Sequence, residues 1–152
     1  MKYKEICKYV LALAIIICIT IVMGKTIIIA KSQTNLIYPK TSENEYLLTE
    51  GRAIMGNIKV NDRLIICDKD NNNLQVGVIG VPDDEIKILD GDVIVNNKLK
   101  AKTDEMENKD FILANDEYYV YSQNGDSGNI VSKKITKEEI KGKVLKRFIQ
   151  VK

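Results

Sequence analysis

Apolar positions in this chain recur at a spacing of two over several short stretches, and the stretches fall into pairs separated by turn-forming residues. Ile86 and Ile88 alternate with charged neighbours, and Val93 and Val95 resume the alternation. Between them Asp90-Gly91 supplies the residues a type I′ turn requires, so the segment predicts a hairpin. A second hairpin is predicted from Arg63 to Cys67 (RLIIC) and Leu74 to Gly80 (LQVGVIG), joined by DKDNNN, whose Asn and Asp residues favour turns. Phe111 to Ala114 and Tyr118 to Tyr121, with Asn115-Asp116 between, predict a third. The sum is six short strands. Lys137 to Lys141 (KEEIK) predicts one helical turn after Thr136, ended by Gly142 before a last strand, Val144 to Val151. No internal repeat is present.

The N-terminal pattern is different. Val10 to Met23 (VLALAIIICITIVM) carries no charge and follows Lys2, Lys4 and Lys8, which predicts a membrane segment with a cytoplasmic N-terminus. A spanning helix needs about 20 apolar residues. Tyr9 to Gly24 reaches that length only if Lys25 snorkels and Thr26 to Ala30 continue the helix. The expected organisation is a cytoplasmic tail at 1–8, a membrane anchor at 9–30, a polar stalk or loop at 31–44 and an extracytoplasmic domain at 45–152. That places the protein in the cell membrane as a single-pass protein. A cleaved secretory signal, with Gly24 after Val22 at the cleavage site, is the alternative. Cys18 follows Ile15, Ile16 and Ile17, which is not a lipobox.

With 152 residues, 45% of them hydrophobic, the chain can bury one modest core. Lys2, Lys4, Lys8 and Glu5 precede Gly24, so the 23 basic and 21 acidic residues of the whole chain become a balanced 20 and 20 beyond it. Nucleic-acid binding therefore has no electrostatic basis. Cys67 is the one cysteine beyond the apolar segment, so that part forms no internal disulfide. The lysines between Lys133 and Lys146 are interrupted by Glu138 and Glu139 and read as solvated surface.

The order of the boxes carries a resemblance. VIGVPDDEIKILDGDVIVNNK, Val78 to Lys98, resembles the central box of the type I signal peptidases, in which a strand ends in Ile-Gly-x-Pro-Gly-Asp and leads into a hairpin. Upstream, GRAIMGNIKVND resembles the nucleophile box G-x-S-M-x-P-T-L-x-x-G-D, in a register set by Gly51, Ile58 and Asp62. ITKEEIKGKV resembles the closing segment, most clearly at Ile140, Gly142 and Lys143. The resemblance implies a mainly β fold: an N-terminal transmembrane helix followed by a signal-peptidase-like antiparallel β domain with little helix.

Members of that family are Ser/Lys hydrolases, in which a desolvated lysine with lowered pKa serves as base to a serine. In this chain Ala53 stands at the serine position, Ile54 at the methionine, Gly56 at the proline and Asn57 at the threonine. Val76 stands at the lysine position and Gly77 at the arginine. Related eukaryotic enzymes use histidine as base, and this chain has none. The third box, YSQNGDSGN, keeps Asn124 and Asp126-Ser127, with Gly128 at the arginine position.

The implied protein is a signal peptidase homologue without its dyad: not an enzyme, with no catalytic residue, metal or cofactor. Signal-peptidase-like proteins of this kind are accessory factors in sortase-dependent pilus assembly of Gram-positive bacteria. The resemblance therefore implies an assembly factor or chaperone whose partners are secreted pilin subunits or a sortase, with the membrane alongside and a homo-oligomer left open. Its candidate peptide-binding residues are Gly51, Ala53, Ile54, Met55, Val76, Gly77 and Val78, lining a vestigial cleft that is either a hydrophobic groove or filled shut. A relocated dyad using Ser122 or Ser127 with one of the lysines, and a regulatory partner of an active signal peptidase, are the competing readings.

Overall fold

The computed structural model describes residues 2–32, 36–42, 45–52, 54–67, 73–126, 128 and 130–148. Helix α1 (Lys2–Thr26) is followed, among the described residues, by twelve strands: β1 (Ile27–Lys31), β2 (Leu36–Tyr38), β3 (Tyr46–Gly51), β4 (Arg63–Cys67), β5 (Asn73–Gly80), β6 (Glu85–Leu89), β7 (Asp92–Val95), β8 (Lys98–Lys102), β9 (Lys109–Ile112), β10 (Glu117–Asn124), β11 (Ile130–Thr136) and β12 (Ile140–Phe148). A 3-10 turn (Lys137–Glu139) joins the last two.

The mainly β, antiparallel character expected from the alternation is present, but the transmembrane helix is not. Among the described residues no helix is long and apolar enough to cross a membrane, which corrects both the anchor and the single-pass membrane location. The extension needed to reach spanning length is spent elsewhere. Beyond Thr26 the chain leaves the helix, and Ile27 to Lys31 pair antiparallel with β3, Ile27 opposite Glu50 and Lys31 opposite Tyr46. A short run of β-branched residues suits a strand as well as a helix, and here the free edge of β3 decides it.

The strands form two antiparallel sheets. The larger runs β1-β3-β12-β4-β5-β10-β11, with β2 also paired to β10; the smaller runs β8-β7-β6-β9. Four strand spacings, roughly 19 Å if flat, separate β12 from β11. The 3-10 turn between them rises only about 2 Å per residue, so the larger sheet must curl to bring its two halves together. Inside the curl lies an apolar cluster of Leu64, Ile66, Val76, Val78, Tyr118, Val120, Ile135 and Ile140. A second cluster, including Ile79, Ile86, Ile88, Val93, Tyr119 and Tyr121, fills the space between the two sheets. The alternation Tyr118-Tyr119-Val120-Tyr121 sends successive side chains of β10 to the two clusters, as the pleat requires.

Two predicted hairpins are present. β4 pairs with β5, Leu64 opposite Val76, and β6 pairs with β7 across Asp90-Gly91, where both residues have positive φ (49° and 81°). The third is corrected. Asn115-Asp116 does make a turn, with Glu117 N–H donating to Ala114 O at 2.9 Å. The strands on either side belong to different sheets: β9 pairs with β6, and β10 with β5 and β11. Gly142, expected to end the helical turn, lies inside β12 opposite Gly51 and Ile65.

The segment expected as stalk or loop is bound to the domain. Tyr38 of β2 lies opposite Gln123 of β10. Ser32 N–H donates to Glu45 O (2.7 Å), Gln75 Nε2 to Thr41 Oγ1 (3.0 Å) and Arg147 Nη1 to Lys40 O (3.1 Å).

Candidate functional site

Residues 51–62, which carry the matches to a nucleophile box, begin in the sheet and leave it as a strap over the curl. Gly51 is buried at the end of β3, opposite Gly142. Ala53 lies outside the described residues. Ile54 turns back, its N–H donating to Gly51 O at 3.1 Å, and its side chain is exposed. Met55 and Ile58 pack on the apolar cluster inside the curl.

The strap is fixed at both ends. Arg52 Nη1 donates to Glu138 O (3.1 Å), and Lys143 Nζ donates to Asn57 O (3.1 Å) while pairing with Asp62 Oδ2 (2.7 Å). Asp62 Oδ2 also accepts Lys59 N–H at 2.7 Å. Asn61 N–H donates to Val78 O and Val78 N–H to Asp62 O, which ties the strap to β5.

Under the strap, Val76 is 0% exposed within the same cluster as Met55 and Ile58. Val78 is likewise fully buried. Gly77 faces the opposite side of the sheet, where the Tyr38 ring lies on its backbone: a Cβ there would fall 2.3 Å from Tyr38 Cε1. Burial pushes the Tyr38 phenol above its usual range, against the pull of Arg63. The fold thus brings Met55, Val76 and Val78 together, sets Gly51 against β12 and turns Gly77 away. Strand pairing matters as much as burial. β3 is paired along its length on both sides, by β1 and β12, and offers no edge to an incoming chain, whereas β5 is paired by β4 over residues 73–77 and by β10 over residues 77–80.

The other serines and lysines considered from sequence are dispersed. Ser122 is buried on β10, and Ser127 lies outside the described residues. Lys98, Lys100 and Lys102 are exposed on β8, with Lys102 3.4 Å from Asp92. Asn124 and Gly128 shape the turn between β10 and β11: Asn124 Oδ1 accepts Asp126 N–H (3.0 Å), and Gly128, at φ 67°, donates its N–H to Asn124 O (2.9 Å). Among the described residues no group of three or more His, Cys, Asp or Glu is placed to hold a metal.

A concavity that no sequence motif marks opens between β9 and β11, with a volume of about 550 Å³. Phe111 and Tyr119 form its aromatic floor, ring centroids 6.0 Å apart, and the Tyr119 hydroxyl lies 3.1 Å from Ser132 Oγ. Burial raises the Tyr119 pKa, opposed by that hydrogen bond. Lys134 Nζ stands 5.6 Å from the Phe111 ring centroid and pairs with Glu117 at 2.7 Å. Lys109 pairs with Glu105 and with Glu107 (3.2 Å). The aromatic alternation was readable in the sequence. That β9 and β11 would come to flank one groove was not, because their ladders run to different sheets.

No protein-family model and no curated protein matches this chain.

Proposed function

We propose that this protein is a signal-peptidase-like protein without catalytic activity, which works by holding other polypeptides, as an assembly factor or chaperone for secreted pilin subunits or their sortase. The observation that supports this best is the burial of Val76. At the position matching the general base stands a branched alkyl side chain, fully buried in the apolar cluster on which Met55 and Ile58 pack. An ammonium placed there would be desolvated without a partner, and the alkyl group present accepts no proton.

The choice of pilin and sortase as partners rests on the sequence resemblance. The test is twofold. Purified full-length chain is incubated with peptides spanning secretory cleavage sites and with mature pilin, and the products are read by mass spectrometry alongside binding. Retention of a polypeptide without new termini is the expected result, and site-specific cleavage overturns the reading. Deletion of the gene is expected to reduce pilin polymers; unchanged polymers remove the pilus role.

A further inference from the structure

We infer that the open edge of β1 is a self-association surface whose occupant is β1 of a second copy of this chain, paired antiparallel about a two-fold axis at Ile29. β1 ends the larger sheet, bonded to β3 on one side and free on the other. Ser32 N–H donates to Glu45 O (2.7 Å) in continuation of the same register. In an antiparallel ladder, residues that exchange hydrogen bonds with the neighbour alternate with residues whose backbone groups point away from it. Ile28 and Ala30 therefore bond toward β3, while Ile27, Ile29 and Lys31 turn their backbone groups to the open side. Every side chain of α1 from Ile6 to Thr20 is exposed, so that length of helix does not pack over the edge. Sheet edges are commonly guarded by charge, and the other three are: β8 carries Lys98, Lys100 and Lys102, β9 Lys109 and Asp110, and β11 Lys133 and Lys134. β1, IIIAK, has a lysine at its last position alone and no break in its register.

Symmetry, apolar surface and charge all select a second copy. The outward residues are centred on Ile29, so Ile29 meets Ile29 of the second copy while Ile27 meets Lys31, and each strand satisfies the other along its length. The side chains of these residues share one face with those of β3, Leu48 beside Ile29 and Glu50 beside Ile27. Ile27 and Ile29 are 42% and 69% exposed. Pairing lines up Leu48, Ile29 and their two counterparts as an apolar row of four across the axis. In the next row Glu50, Ile27 and Lys31 of the second copy follow one another. Carboxylate and ammonium then stand on strands two spacings apart, about 10 Å, which the two side chains bridge together over Ile27. Neither Lys31 nor Glu50 has an ion-pair partner among the described residues, and the two-fold axis forms the complementary pair twice.

The experiment uses the full chain in a neutral detergent, reading mass by sedimentation and register by disulfide cross-linking in a Cys7→Ser, Cys18→Ser, Cys67→Ser background. A dimer is expected. Ile29→Cys is expected to cross-link to itself, and Ile27→Cys to Lys31→Cys when the two variants are mixed, since hydrogen-bonded partners lie within disulfide range. Ile27→Cys alone, whose thiols would stand roughly 14 Å apart along the strands, and Leu99→Cys at the β8 edge are expected to give no product. Ile29→Lys puts charge at the centre of the apolar row and is expected to weaken the dimer at least tenfold with an unchanged circular dichroism spectrum. Should it unfold, Lys31→Glu and Glu50→Lys are each expected to weaken the dimer and the double variant to restore it. A monomer at every concentration overturns the inference. A dimer that withstands both Ile29→Lys and Lys31→Glu forms elsewhere, α1 included, and overturns the assignment to β1. Cross-linking of Ile27→Cys to itself overturns the axis at Ile29.

Discussion

The ring of Tyr38 lies directly on the backbone of Gly77, so closely that a β-carbon at 77 would meet Tyr38 Cε1 at 2.3 Å. One residue comes from the segment before β3, the other from the middle of β5. Glycine at 77, where the likeness to signal peptidases has arginine, is what lets that segment seat. Gly77→Ala is expected to destabilise the protein by about 1–3 kcal/mol through overpacking and to expose Tyr38. Thermal melts and tyrosine fluorescence read both, and an unchanged melting temperature contradicts the packing described.

Gly142 and Gly56 make a matched pair. A Cβ at 142 would sit 2.6 Å from Glu50 O, a backbone atom held in the ladder, whereas nothing lies within 4 Å at 56. Gly142→Ala should cost about 1–3 kcal/mol, and Gly56→Ala nothing, or give a gain of about 0.5 kcal/mol from reduced unfolded-state entropy. Denaturant titration of both variants reads the difference; equal midpoints would show that β3 and β12 do not approach this closely.

Lys143 holds the strap over the curl by its contacts with Asn57 O and Asp62. Both side chains of the ion pair are largely shielded, so Lys143→Met leaves Asp62 without its cation at a cost of about 1–2 kcal/mol. Amides of residues 54–62 are expected to exchange faster while those of β6 and β7 do not change. Uniform exchange across the chain would mean the strap is held by Met55, Ile58 and its backbone bonds to β5 without help from Lys143.

Glu139 supplies an acid-dependent contribution. Burial pushes its carboxyl upward, but Thr136 N–H and Lys133 outweigh burial and bring the net pKa below the usual value. A carboxylate depressed on folding stabilises above its unfolded pKa, and the contribution is lost as pH falls through the folded one. The Glu139 side chain is 39% exposed, so solvent screening limits the effect to about 0.5 kcal/mol. Stability curves of wild type and Glu139→Gln are expected to differ at neutral pH and converge on acidification; a constant gap refutes the assignment.

Sequence showed local partners better than distant ones. The hairpins β4–β5 and β6–β7 were legible because strand alternation and turn chemistry point to the same pair. Asn115-Asp116 is an equally good turn, yet the strands around it part, since turn residues state that the chain reverses and not which ladder it joins. β8 was missed because KLKAK has too few apolar residues to alternate, although Asn96-Asn97, both at positive φ, mark the turn before it. Ile27 to Ala30 read as more helix because a short apolar run fits either period. At the candidate site, the absence of a serine at 53 and a lysine at 76 was plain from sequence. The filling of that region by Met55 and Ile58, and the groove beside β11, depend on the curl of the larger sheet, which no local pattern encodes.

That curl has a consequence for synthesis. β3 is made early and obtains one of its two neighbours only from β12, near the other end of the chain. Pairings so distant in sequence fold slowly, and until β12 has emerged from the ribosome β3 presents one unsatisfied ladder with Leu47 and Leu48 beside it. Between the making of β3 and that of β12 the nascent chain is therefore in need of shelter itself, open to wrong pairing with other unfinished chains, and interruption before β12 should yield an insoluble fragment rather than a smaller domain.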